Sequence, residues 1–321
     1  MNRAASPRKN FQVTELALPI FNQETKSPLK EMKIFPCADS PMMANRCKAS
    51  LDISRCKALE IAMLTAQVLQ TGQYDTEHGK VVVWDLIEES LTNKKSIPPE
   101  IQFPSRPALQ RFETEVQVRN ESCLAAAWNL QEQGLHPLVL NFAHGLHAGG
   151  EFLRGAKAQE ESLCRSSTLY SNLLGDLMYL HHLRRRDFAF SDWTILTPQV
   201  PVFRNDAGSC LDEPWLLDLL TCAAPIAHLV GPERAARLLE QRIHRILTVA
   251  SAFEYKALVL GAWGCGNFSN DPTKTAKSFR NALVGKFAGT FQKIIFAIAD
   301  WTPARNILGP FAEIFRETSR A

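Results

Sequence analysis

The stretch from Asn141 to Glu161 holds the residue types best able to act on a ligand. Gly145, Gly149, Gly150 and Gly155 are followed by Gln159 and the adjacent acids Glu160 and Glu161. Glycines reach positive φ and let the backbone approach a ligand closely. The N–H groups exposed in such turns form concavities that bind anions, and a carboxyl group beside them can give or take a proton. A second stretch, Gly261-Ala262-Trp263-Gly264-Cys265-Gly266-Asn267-Phe268, follows a short apolar run and precedes a helical pattern. Gly264 and Gly266 would let backbone amides wrap a phosphate, with Phe268 against a sugar or base. Two such loops imply a ligand carrying a diphosphate. A plainer account also fits: glycines make tight turns, acids favour the positive end of a helix dipole, and Phe268 is a core residue.

Both loops have to be carried by elements that bring them to one edge. Leu138-Val139-Leu140 and Leu258-Val259-Leu260 are short, unbroken apolar runs, the pattern of strands covered on both faces, and each leads into a glycine loop. Ile294 to Ile298 is a third such run, and Val116 to Val118 a shorter one. Lys80–Trp84, Trp193–Leu196 and Val200–Phe203 also read as strands. A helix is expected over 54–70, where Leu59, Ala62, Met63, Ala66 and Leu69 recur at helical spacing and Gly72 stops it. Others are expected over 121–133 behind an Asn120 cap, from the first loop to about Arg185, over 233–253, and over 273–291 behind Pro272. The repeated strand, glycine loop and helix place a ligand site beyond the strand ends of an α/β sheet. Residues 1–53, with Pro7, Pro19, Pro28, Pro36 and Pro41, read as an irregular arm. Residues 54–110 form a helical extension and a proline-marked linker, and 111–321 the ligand-binding body.

Composition excludes several classes. Hydrophobic residues make up 45% and charged residues 21% of 321, an ordinary globular mix. A net charge of +3, from 36 Lys and Arg against 33 acids, is too small for a nucleic-acid footprint. No apolar run nears the roughly 18 residues a membrane helix needs, and no secretory leader follows the basic start. Eight cysteines without a C-x-x-C pair read as free thiols of a cytoplasmic protein, although a chain injected into another cell would look the same. A monomer is expected.

The spacing Gly149-Gly150-Glu151, seven residues, then Gln159-Glu160-Glu161 resembles the signature of the microbial-type poly(ADP-ribose) glycohydrolases, three glycines followed by Gln-Glu-Glu on a macrodomain fold. The likeness extends through Leu140-Asn141-Phe142-Ala143, Thr197-Pro198-Gln199-Val200-Pro201-Val202-Phe203-Arg204 and Leu260 to Gly266, and covers roughly 54–300. It implies a three-layer α/β/α mixed sheet with an N-terminal helical extension, and hydrolysis of the ribose glycosidic bond in poly(ADP-ribose) or protein-linked ADP-ribose. Such cleavage needs an acid to protonate the leaving oxygen and a carboxylate to activate water. The resemblance gives both jobs to Glu161 and the neighbouring ribose hydroxyls to Glu160. It gives support of loop or ligand to Gln159, and the loop or that ribose to Asn141. The diphosphate and distal ribose fall to Gly149 and Gly150, backbone phosphate donors to Gly264, Cys265, Gly266 and Asn267, and the ribose or adenine side to Phe268. No cofactor or metal is implied; the partners are ADP-ribose, its polymer or an ADP-ribosylated protein.

Glu151 departs from the pattern, standing where the family keeps a third glycine. A side chain there restricts the backbone. Its charge about 4 Å from a phosphate would cost about 4 kcal/mol at an effective dielectric of 20, on the order of a thousandfold in affinity, unless Arg154 or Lys157 compensates. The alternatives are that Glu151 points to solvent, that it recognises a different modified side chain, or that the chain reads ADP-ribose without cleaving it. His144, His147, His181 and His182 lack the convergent spacing of a metal site. Cys265 has no identifiable base to make it a nucleophile. Arg184-Arg185-Arg186 reads as a solvated helix end that could still touch an acidic polymer.

Overall fold

Alternation along the strands decides the layers. Val116, Val118, Leu138, Leu140, Leu258, Leu260, Ile294 and Phe296 are buried in one apolar cluster, whereas Val139, Val259 and Ile295 between them are buried in another. Side chains of a strand point to opposite faces in turn, so each strand is covered twice. A computed structural model describes residues 32–103 and 112–316. In chain order the elements begin with β1 (Lys33–Ile34), α1 (Pro41–Leu51), α2 (Arg55–Thr71), β2 (Gln73–Thr76), β3 (Gly79–Val82), α3 (Trp84–Asn93), β4 (Lys95–Ile97) and β5 (Glu115–Arg119). Next come α4 (Cys123–Glu132), β6 (Pro137–Ala143), a 3-10 turn (Phe152–Arg154), α5 (Gln159–Ser166), α6 (Leu169–Leu173), α7 (Leu177–Arg185), β7 (Thr194–Arg204) and β8 (Cys210–Ala223). The chain continues with α8 (Ala227–Val230), α9 (Pro232–Ala252), β9 (Ala257–Leu260), α10 (Pro272–Val284), β10 (Lys293–Ala297) and α11 (Leu308–Ile314).

The main sheet has the order β1-β5-β10-β9-β6-β8-β7-β4, and β2 and β3 form a separate hairpin. Strands β1 to β8 in that order are parallel, and β7 and β4 are antiparallel to their neighbours. Helices α9, α10 and α11 cover one face; α2, α4, α5, α6 and α7 contribute buried residues to the other. This is the expected three-layer mixed α/β fold. The parallel strands β6 and β9 end side by side, which sets the two glycine loops next to each other at the same edge.

Several sequence expectations need correction. The segment read as an irregular arm contains β1, paired with β5, and α1, whose cap Ser40 accepts from the Met43 amide at 3.2 Å. Pro41 opens that helix, as a proline in a first turn can; residues 1–31 lie outside the described residues. Part of the linker belongs to α3, and β4 joins the main sheet against β7, while 104–111 lie outside the described residues. Ser122, not Asn120, caps α4; the Asn120 side chain is buried on the Asp300 backbone. The helix expected to reach Arg185 is broken into three, because Ser167 and Leu174 are extended. Trp84 starts α3, α10 stops at Val284, and the two strands expected over 193–203 are one, irregular between Thr197 and Val200.

The N-terminal segment buttresses the first loop and α5. Thr65 of α2 donates to the Arg165 carbonyl of α5 at 2.8 Å, and Arg204 donates to both Thr65 and Arg165. Arg55 donates to the Arg154 carbonyl at 3.0 Å, and Lys157 pairs with Asp52 at 2.9 Å. Across the sheet, Phe296 packs its ring among Phe279, Phe311 and Phe315, with centroids 4.6 to 5.5 Å away. Truncating a fully buried phenylalanine removes its transfer energy and leaves a cavity, so Phe296→Ala should lose about 3–5 kcal/mol of stability in urea unfolding. A loss below about 1 kcal/mol would contradict this packing.

Candidate active site

The first loop and the start of α5 are fastened together through carboxylates. Glu160 and Glu161 occupy the first turn of α5, where the helix dipole favours negative charge. Neither acid is free to solvent: they are 2% and 7% exposed. Glu160 Oε2 accepts from the His144 amide at 2.7 Å, Oε1 accepts from Asn141 Nδ2 at 3.3 Å, and the Gly149 amide donates to the same carboxylate. Burial raises the Glu160 pKa well above the usual carboxylate range, against the lowering effect of these donors and with a further rise from Glu161. Glu161 Oε1 accepts from the Glu151 amide at 3.1 Å. Its Oε2 is buried without a hydrogen-bond partner among the described residues, and so is Asn141 Oδ1.

Gly150 makes this closeness possible. It has φ +60, and a Cβ there would sit 2.2 Å from Glu161 Oε1 and 3.2 Å from Glu160 Oε2. Glu151, by contrast, has φ −109, a conformation open to any residue. Its carboxylate is held by His147 Nδ1 at 2.6 Å and Arg154 at 2.8 Å. The backbone restriction expected from glutamate at this position is therefore absent, and Arg154 supplies the compensating charge. Lys157 does not, being paired with Asp52.

Gln159 spends its amide on the scaffold: Oε1 accepts from the Phe142 amide at 2.9 Å and Nε2 donates to the Leu140 carbonyl at 2.8 Å. It ties α5 to β6, a scaffold contact of the kind expected of its loop-supporting alternative. Asn141 lies in β6 in register with Thr221 of β8, to which it donates at 3.1 Å.

In the second loop Gly264 has φ +75, and a Cβ there would meet Asn270 Nδ2 at 2.6 Å and Ala224 Cβ at 2.8 Å. Asn270 grips the loop, donating to the carbonyls of Gly264 at 3.1 Å and Pro225 at 2.8 Å. The Cys265 amide donates to the Ala262 carbonyl and its thiol lies 3.5 Å from Thr275. Cys265 thus corrects the expectation of a backbone phosphate donor. Burial pushes its thiol up to about 12, which also removes it as a nucleophile. Gly266 and Asn267 are exposed, and among the described residues their amides have no protein acceptor. The half-buried Phe268 ring bridges the loops, 6.0 Å edge-on from His144, which itself stacks on His147 at 4.7 Å.

Sequence reasoning missed Thr221 and the bridging part of His144. Thr221 lies in β8, which carried no strand expectation, and His144 is an ordinary loop histidine by sequence. Among the described residues no three His, Cys, Asp or Glu side chains converge as a metal-binding group, and no helix is long and apolar enough to cross a membrane.

Residues 62–205 match the family described as "Microbial-type PARG, catalytic domain". Among solved structures, the poly(ADP-ribose) glycohydrolase of Thermomonospora curvata is 36% identical with a TM-score of 0.74, covering 80% of this chain and 99% of its own. The same protein bound to the inhibitor ADP-HPD is 38% identical over 80% and 98%, with TM-score 0.74. The poly(ADP-ribose) glycohydrolase of Deinococcus radiodurans in complex with ADP-ribose is 37% identical over 71% and 96%, with TM-score 0.67. No curated protein sequence matches the chain.

A raised pKa on Glu160 has a consequence for stability. The folded protein holds that proton more tightly than the unfolded chain, whose value is near 4.5. Stability from this group is present in acid and lost as pH rises through the folded pKa. Glu160→Gln should therefore flatten the decline of the thermal midpoint above pH about 4.5, whatever its midpoint in acid. An unchanged slope in a pH series of melting curves would contradict the assignment.

Proposed function

The chain belongs to the microbial-type poly(ADP-ribose) glycohydrolase family, and on that premise we propose that it hydrolyses the ribose glycosidic bond of poly(ADP-ribose) or of ADP-ribosylated protein, releasing ADP-ribose. The observation that carries the reading is Glu161. One of its oxygens is fixed by the Glu151 amide and the other is buried without a partner among the described residues, beside a loop whose close approach needs glycine at 150. That is an acid held in place with one reactive oxygen left over.

The diphosphate lies between the two loops, with the amides of Gly266 and Asn267 as donors on one side and the Gly149-Gly150 turn on the other. Phe268 and His144 flank the sugar. Asn141 Oδ1 and the remaining lone pairs of Glu160 accept from the ribose hydroxyls. Glu161, as the acid, gives its proton to the departing oxygen while the bond to the anomeric carbon breaks and positive charge spreads over the ring. As the carboxylate it then takes a proton from water, whose oxygen bonds to that carbon, and Glu161 recovers its starting state. No cofactor enters this sequence. Residues 54–110 serve as the brace behind α5, and 111–321 as the body that holds ligand. Eight free thiols support a cytoplasmic setting.

Glu161→Gln should lower turnover about a thousandfold, within the usual range for losing a general acid, while ADP-ribose affinity by calorimetry stays within about threefold. Labelled poly(ADP-ribose) retained by the wild type without shortening would instead mark a reader. Glu151→Gly should keep turnover within about threefold, because the side chain is turned to His147 and Arg154 and Glu161 is held by the backbone amide that glycine also has. Loss of cleavage in that variant would give the Glu151 carboxylate a part in the reaction.

A further inference from the structure

Behind the first loop, a buried histidine grips its backbone. His182 of α7 is fully buried. Its Nδ1 lies 2.9 Å from the Gly145 carbonyl, and its Nε2 lies 2.7 Å from Ser191 Oγ and accepts the Ser191 amide at 3.1 Å. A ring nitrogen that accepts an N–H carries no proton, so the ring is neutral with its proton on Nδ1, donated to Gly145. Burial, with Arg242, His181 and Arg185 adding to it, pushes the pKa down to about 4, so this donor persists at neutral pH.

The turn that holds Ser191 is itself fixed on several sides. Phe190 adopts φ 57, a left-handed conformation that bulky residues rarely take. Its ring lies against Gly145, where a Cβ would come within 2.5 Å, and faces Phe268 of the second loop at 6.4 Å. Arg242 of α9 donates to the carbonyls of Ala189 and of Ala223, the last residue of β8. One turn therefore touches both ligand loops. The residue before Gly145 is His144, whose amide binds Glu160 and whose ring meets Phe268.

We infer that His182 is a positioning residue for the reaction: by fixing the Gly145 carbonyl against the strained Phe190-Ser191 turn, it sets the His144 amide that holds Glu160, and with it the spacing of the two loops. The inference rests on the proposed cleft as the site of cleavage. It assigns a function to a residue that contacts neither carboxylate, through a path of one peptide unit.

Side chains that mimic one ring nitrogen each test it. In His182→Asn the amide nitrogen can replace Nδ1 and keep the Gly145 bond; in His182→Gln the longer amide reaches Ser191 and loses it. Turnover on poly(ADP-ribose) should stay within about threefold in the Asn variant and fall about 10- to 100-fold in the Gln variant, the scale of a small misplacement of catalytic groups. KM should change less than turnover in both, and their melting temperatures should be similar. Hydrogen exchange of the 143–150 segment, read by mass spectrometry, should quicken about tenfold in the Gln variant only. Equal losses of turnover in the two variants, or unchanged exchange in the Gln variant, would overturn the inference. A wild type with a protected loop and no cleavage would leave this brace standing and defeat the proposed activity instead.

Discussion

Backbone amides fastened to two buried carboxylates are the constraint on which the site depends. Taking a carboxylate out of water is costly unless donors replace the solvent, and Glu160 finds them in the amides of His144 and Gly149 and in Asn141. These bonds offset part of that cost, so the loop cannot relax without uncovering the acid. Glycine at 150 follows from the same contact, since the space a side chain would need is filled by Glu161. The bonds across which the ligand would be held thus exist within the protein, and the geometry is set before any ligand arrives.

Glu151 shows how a family pattern can change at one position without loss of that constraint. What the neighbouring positions need is positive φ, and Gly149 and Gly150 have it. The third position has negative φ and contributes only its amide, which glutamate supplies as well as glycine. The added carboxylate is placed by Arg154 and the His147 ring already in the loop, and His147 stacks in turn on His144. The side chain extends the bracing of the loop outward, from the amide contact with Glu161 to the ring that meets the second loop.

Strands buried on both faces were legible because their burial leaves a continuous apolar run: β6, β9 and β10 stand where Leu138-Val139-Leu140, Leu258-Val259-Leu260 and Ile294 to Ile298 pointed. β8 was not, although it is central. Its 14 residues include Asp212, Glu213, Pro214 and Asp218, which break the run. The structure accounts for Asp218, which accepts from the Gln199 amide and the Tyr255 hydroxyl. That tertiary use has no local signature. Within the site, the acids and glycines stand out because their spacing is local, whereas the backbone partners of Gln159 and Cys265 could not be read, because each is decided by what lies within reach in the fold. The first turn of α1 was misread for a related reason: a proline-rich composition masked a serine cap followed by a proline, which is a helix start.

The two adjacent glutamates illustrate how position along a helix turn separates roles. Both sit at the same dipole end and both are buried, so neither charge nor exposure distinguishes them. Hydrogen bonding does. Both oxygens of Glu160 are engaged, one by the His144 amide of the loop and one by Asn141 of β6, and removing it would release several contacts at once. Only one oxygen of Glu161 is engaged, by a single amide. An unpaired buried acceptor costs roughly 1–3 kcal/mol, a cost that a purely structural acid could avoid by turning toward a donor. The fold leaves Glu161 with this deficit and surrounds it with contacts that hold it there, which is the arrangement expected where a proton must be passed to something that is not part of the protein.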